Sequence, residues 1–426
     1  SFTHGLQTWG STVGNTYTID GYILADNAYA AVYLTGTLSV PWRSQVHIGL
    51  NGVLSGGTGI WVEDDPVSIF NQGFISGDNN DGIRLEDATA DYNRIVNSGT
   101  ITSVLDAIEV EGDATDLENS GTLIAYFNAI DLAGSDNRVT NSGSMNADYT
   151  AIYIQAGDNT ITNSGSITSN ESIGIYVAGN NNTITNTEHG TIRTGPSGSG
   201  EGVFFDNGVS NTLINDGAIY SGGIGVAFNS SSIGVAGNAL TNRGTITSDN
   251  NYAVFLSGNG NKITNSGLLE SILREAILFF GSDNLIVNSG EIIADDAGIY
   301  LYDEASTGNR IENSGSIVSH NQSAIFSNSL EFTLLNSATG IMTGNAVNAV
   351  EIVGTGSRIF NEGLMNSANS EGVDIQDSDA LLKNSGLIET GSAAAAAVLW
   401  TNYGSPGNFD LVNTGEITGP GFAIAV

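Results

Sequence analysis

Residues 159–168 read Asn159-Thr-Ile-Thr-Asn-Ser-Gly-Ser-Ile-Thr168, and residues 309–317 read Asn309-Arg-Ile-Glu-Asn-Ser-Gly-Ser-Ile317. The inner asparagine of each stretch belongs to a register that runs along almost the whole chain: Asn71, Asn97, Asn119, Asn141, Asn163, Asn186, Asn215, Asn242, Asn265, Asn288, Asn313, Asn336, Asn361, Asn384 and Asn413. Glycine follows two residues later except after Asn186 and Asn336, where a short insertion delays it to Gly190 and Gly340. The shortest spacing is 22 residues (Asn119 to Asn141 to Asn163), and the mean is about 24, a period that signals a solenoid. An aliphatic residue stands two positions before every register asparagine, as in Ile95, Leu117, Val139 and Ile161. A second aliphatic usually follows four positions later, as in Ile101, Leu123, Met145 and Ile167.

Between successive registers lies a third short segment with two apolar residues flanking an outward one: Ile130-Asp-Leu132, Ile152-Tyr-Ile154, Ile175-Tyr-Val177, Ile299-Tyr-Leu301. Each repeat therefore reads as three strands of period-2 alternation joined by Gly/Asn/Asp/Ser turns, with no sustained helical periodicity. The expected fold is all-β, a single parallel β-helix of about 22–25 residues per coil over residues 15–426, right-handed as parallel crossovers are. Residues 1–14 are expected to be an N-terminal extension able to add as a strand to a neighbouring molecule.

In such a stack each register asparagine lies over its counterpart one coil away. Its amide can donate to one neighbour and accept from the other, so Asn97, Asn119, Asn141, Asn163, Asn265, Asn288 and Asn313 are predicted to form a structural ladder. A second asparagine series stands four residues earlier, including Asn137, Asn159, Asn182, Asn261 and Asn284. The Asn-x-Gly turn is expected to need a positive φ, which glycine adopts without strain.

Composition narrows the function classes. The chain has 45 acidic and 11 basic residues in 426, a net charge of −34. Eleven scattered cations supply no footprint for nucleic acid or an anionic membrane, and no transmembrane segment is evident. Cysteine is absent, which removes disulfides, thiolate metal sites and a cysteine nucleophile. A 40% hydrophobic share is enough for a core, so the chain is not an acidic disordered tail.

Two outward columns carry information. The position three before the register holds five of the eleven basic residues, and Arg94, Asp116 and Arg138 on adjacent coils suggest an alternating charge stack. The outward position of the third strand runs Tyr33, Trp61, Arg84, Glu109, Asp131, Tyr153, Tyr176, Phe204, then breaks near Phe228, then Phe255, Leu278, Tyr300, Phe326, Glu351, Asp374. Its aromatic part, Tyr153, Tyr176, Phe204, Phe255, Tyr300 and Phe326, exceeds the apolar surface that monomers usually leave bare. Three readings stand: cover by a loop such as 195–202 or a terminal segment, a protein partner or second copy, or a carbohydrate platform.

No catalytic residue is expected. The closest local grouping is Asp78, Asp81, Arg84, Glu86, Asp87 and Asp91, the mix of signs a polysaccharide lyase would need. Asp295, Asp296, Asp303 and Glu304 are candidates for weak Ca²⁺ binding, the one cofactor considered. The four histidines, His4, His47, His189 and His320, have no ligand spacing.

With the repeats laid out, the Asn-Ser-Gly runs resemble the passenger regions of bacterial autotransporters and related secreted β-solenoid surface proteins, over about residues 15–426. The resemblance implies a chain secreted by, or displayed on, a Gram-negative bacterium, with adhesive or scaffolding roles. Autotransporters carry a C-terminal membrane barrel, whereas the solenoid pattern here runs to Val426; the expectation is that the barrel was removed or that the chain is exported another way. The phase of the repeat at Asn15–Gly21 and at Phe422–Val426 suggests that solenoid ends complete each other head to tail, as a filament would. The expectation is a non-enzymatic structural or adhesive β-solenoid, with self-association, a glycan or a cell surface as partner. The alternative is a carbohydrate-binding or carbohydrate-cleaving β-helix.

Overall fold

The computed structural model describes residues 5–8, 14–35, 43–63, 66–86, 91–195, 200–229, 236–376, 378–401 and 407–426. It is an all-β parallel β-solenoid of about 17 coils, three strands to a coil, with no helix among the described residues. The chain divides into two compact units, Ser1–Gly208 and Val209–Val426. Most of the expected N-terminal extension, and residues 196–199 of the loop considered as a cover, lie outside the described residues.

One coil of the first unit shows why these residues form these strands. Thr160–Asn163, Ser166–Ser169 and Ile175–Val177 are its strands. Each alternates fully buried with less buried side chains, and each pairs in parallel with the same strand of the coils before and after. The register is kept around this coil: Ile161 faces Ile184, Asn163 faces Asn186 and Tyr153 faces Tyr176. A slip of one residue would turn every inward aliphatic to water. In the second unit Ile263, Ile286, Ile311 and Leu334 stack in the same way, all fully buried. Each such side chain contributes about 1.5–3 kcal/mol of burial, repeated once per strand.

The register asparagines form the predicted ladder. In the first unit Asn71, Asn97, Asn119, Asn141 and Asn163 each donate Nδ2–H to Oδ1 of the next, at 2.8–2.9 Å. In the second unit the chain of bonds runs from Asn215 to Asn413 at 2.7–2.9 Å. The earlier asparagine series works differently. Its Oδ1 accepts a backbone N–H from the preceding coil, as from Thr115 to Asn137 at 2.7 Å and from Asn261 to Asn284 at 2.9 Å.

The expected positive φ at the register glycine is corrected. No left-handed φ falls there; a Cβ on Gly121 would lie 2.1 Å from the carbonyl oxygen of Gly99, and one on Gly143 2.1 Å from that of Gly121. Glycine is required because successive coils touch backbone to backbone. Positive φ sits instead at the residue before the second series, where Ala114 (54°), Asp136 (57°) and Glu331 (50°) share the role with Gly260, Gly308 and Gly356.

The outward columns are also modified. Arg138 pairs with Asp116 at 3.5 Å, but Arg94 reaches Glu118 at 3.1 Å, so the charges interleave across two columns. At the break in the aromatic column Ala227 holds the outward position opposite Phe255, while Phe228 points inward and is fully buried. No helix of the described residues is long and apolar enough to cross a membrane.

Candidate functional site

The second unit carries a groove of about 510 Å³ on the outer face of the third-strand sheet, within the size range of ligand sites. Register builds its floor. Strands Val254–Ser257, Ile277–Phe280, Ile299–Leu301, Ile325–Ser327 and Val350–Ile352 pair in parallel and bring Phe255, Leu278, Tyr300, Phe326 and Glu351 into one outward row. Tyr300 and Phe326 meet with ring centroids 4.7 Å apart. Leu278 is shorter than the rings around it and lies low, 7% exposed, which leaves a hollow. Two residues along each strand the alternation continues outward, so Phe280 and Tyr302 rise beside the floor, 5.3 Å apart and tilted. Before each strand, Tyr252, Glu275, Ala297 and Gln322 complete the lining, and the small Ala297 widens it. Phe255 supports the groove from its end, packing on Phe280 at 5.9 Å and on Tyr252 at 6.2 Å.

Two carboxylates face this aromatic surface. Glu351 accepts from the Ser323 hydroxyl at 2.9 Å and from Asn348 Nδ2 at 3.4 Å, both on Oε2. Glu275 has a buried Oε2 with no hydrogen-bond partner among the described residues. Burial, and then the Asp296 carboxylate, push the Glu275 carboxyl above its ordinary range. Burial likewise raises the Tyr300 hydroxyl, with Tyr302 and Glu275 adding to it. An acceptor that is desolvated and lacks a donor favours a ligand that brings one.

The six aromatic residues predicted as a row divide between the units. Tyr300 and Phe326 line the groove and Phe255 supports it. Tyr153, Tyr176 and Phe204 form a ring stack in the first unit, with centroids 4.8 and 5.6 Å apart. There Tyr176 donates its hydroxyl to Asp206 at 2.8 Å. All six are half-buried, mostly against one another. The most exposed aromatic residue of the groove is Tyr302, at 54%. Tyr252, Phe280, Tyr302, Glu275 and Gln322 escaped the sequence reading; continuing the period-2 alternation two residues past the strand would have found Phe280 and Tyr302.

The acidic candidates are also redistributed. Asp295 and Asp296 precede strand Ile299–Leu301 and Asp303 and Glu304 follow it, so the four residues considered for Ca²⁺ stand at opposite corners of the coil. Asp295 accepts from Asn321 at 2.9 Å, and Asp303 and Glu304 line a shallower hollow that shares Phe280 and Tyr302 with the groove. Among the described residues no three acidic or histidine side chains gather as a metal site.

In the first unit Arg84 contacts Asp81 at 3.6 Å, Glu86 at 3.3 Å and Glu109 at 3.4 Å. Of the other sequence candidates, Asp78 is held by the hydroxyls of Ser55 and Ser76, Asp91 accepts the backbone N–H of Asp113, and Asp87 lies outside the described residues. The structure adds Asp106, whose backbone N–H donates to Asp81 Oδ1 at 3.1 Å and whose own Oδ1 accepts from the Asn128 backbone at 2.9 Å. Burial, then the carboxylates of Asp131 and Asp81, raise Asp106 to about 7. Burial and Asp81 raise Glu109 to about 8. Burial raises the Asp81 carboxyl as well, opposed by the backbone N–H of Asp106 and by the Arg84 guanidinium.

Compared with known proteins, the chain matches no family model, no curated protein and no solved structure.

Proposed function

We propose that this chain is a non-enzymatic, surface-exposed β-solenoid that adheres to carbohydrate through the groove of its second unit. The observation that carries the reading is the groove itself: Tyr300 and Phe326, in ring contact and tilted by 33°, form an apolar floor, with carboxylate and amide groups at its margins. Sugar rings present an apolar face for stacking and a rim of hydroxyl donors for such acceptors. A polyanionic glycan is disfavoured by the groove carboxylates and by the net charge of −34.

The placement of the groove carboxylates favours binding over cleavage. Glu275 precedes strand Ile277–Phe280 and Glu351 lies on a strand three coil rises further on, about 14 Å along the stack, beyond the separation at which a carboxyl pair hydrolyses a glycosidic bond. The Asn-Ser-Gly repeats, similar to those of autotransporter passengers, support a location outside a Gram-negative cell. A glycan array probed with the wild-type protein and with Tyr300→Ala tests the reading. Retention on neutral or amino glycans that the variant loses supports it, and an array with no retained glycan refutes it.

A further inference from the structure

Resting on the glycan reading of the groove, we propose that its ligand is an amino-sugar oligosaccharide with free ammonium groups, anchored at its two ends by Glu275 and Glu351. Among the described residues neither lysine, arginine nor histidine lines the groove. Arg274 attracts Glu275 through space, yet no cation closes to ion-pair distance with Glu275 or Glu351 among the described residues. Glu275 Oε2 is therefore a buried acceptor still lacking its donor, and an arriving ammonium supplies both the hydrogen bond and the countercharge. The aromatic faces add to this preference, because ring quadrupoles attract a cation lying over them.

The oligosaccharide is favoured over a cationic peptide by the spacing of the floor. Each coil advances about 4.8 Å, close to the length of one pyranose unit in a linear chain. Successive floor positions, Leu278, Tyr300 and Phe326, thus meet successive sugar rings. The two carboxylates, three coils apart, fall opposite sugar units separated by three positions, so a chain of about four units is the shortest that reaches both.

The test is calorimetric titration of the full chain with the β-1,4-linked glucosamine tetramer at a pH where its amines are charged, against the N-acetylated tetramer. The amine tetramer is expected to bind at least tenfold more tightly. Glu275→Gln combined with Glu351→Gln is expected to abolish that preference, so that the two tetramers bind the double variant equally. Glu188→Gln, an exposed carboxylate of the first unit, is expected to change nothing. Equal affinity for the two tetramers, or binding of neither, overturns the amino-sugar inference; the glycan reading falls only if the array also retains no glycan. An equal loss in Glu188→Gln shows attraction by diffuse charge and overturns the inference. Oligolysine that binds as tightly as the amine tetramer and is lost in the double variant overturns the sugar as ligand class.

Discussion

Replacing Asp106 by Asn probes the first unit where two coils place carboxyls on top of one another. The substitution keeps the ladder bond, because Asn128 holds the equivalent position one coil on and the Asn128 backbone N–H still finds an acceptor. What changes is charge. Burial raises the Asp106 carboxyl from 3.8 to about 7, and three units at about 1.4 kcal/mol each set an upper bound of about 4 kcal/mol. Below pH 4 folded and unfolded chains both carry the neutral acid, and the stabilising contribution is complete. As pH rises the unfolded carboxyl ionises first while the folded one holds its proton, so stability falls until the folded group ionises near 7 and is level above. The Asn variant has no such decline at this site. The two proteins should therefore match near pH 4, and the variant should lead by about 2–4 kcal/mol at pH 8, or about 5–10 °C in the melting temperature of a unit of this size. Thermal unfolding followed by circular dichroism at pH 4, 6 and 8 reads this directly. Wild-type and variant curves that stay parallel from pH 4 to 8 would refute the reasoning.

Three further substitutions address the coil stack. Gly267→Ala places a Cβ 2.1 Å from the Gly244 carbonyl oxygen, forces two coils apart and should cost more than 3 kcal/mol of stability in a denaturant titration; a loss under 1 kcal/mol would contradict the close-contact account. Asn265→Ala breaks the ladder between Asn242 and Asn288 and strands a buried amide, with an expected loss of about 2–4 kcal/mol and faster amide exchange in the flanking coils. Ala114→Gly relieves a positive φ of 54° and should stabilise by about 1 kcal/mol, a change of opposite sign from Gly in an ordinary strand.

The coil was legible in the sequence because its two strictest demands fall on single residue types. An amide ladder needs asparagine at every level, and backbone contact between coils needs glycine at every level, so both recur in register. The reason for the glycine was not legible, since an unvarying glycine fits either a left-handed φ or a crowded backbone; only the 2.1 Å approach of the next coil separates them. The position that does take positive φ was harder to see: aspartate, asparagine and glycine fill most of it, as at Asp136, Asp158, Asn181 and Gly260, but Tyr92, Ala114, Ser210 and Glu331 interrupt the pattern. The floor of the groove was readable as the outward column of the third strand. Its flanks were not, because Tyr252 and Glu275 precede strands of three or four residues, Phe280 and Tyr302 end or follow them, and coil length varies at the corners. Asp106 was missed for a similar reason: it stands 25 residues from Asp81, and the stacking of the coils makes them neighbours.

The central claim is that the groove around Tyr300 and Phe326 is where this solenoid holds carbohydrate. Titration of the glycan retained on the array into the wild type, into Tyr300→Ala with Phe326→Ala, and into Tyr153→Ala with Tyr176→Ala tests it most directly. Stacking at the groove predicts at least a tenfold loss of affinity in the first pair and no change in the second, with all three proteins equally folded by circular dichroism. Undiminished binding by the Tyr300→Ala/Phe326→Ala protein, or its transfer to the Tyr153 and Tyr176 stack, would contradict the account.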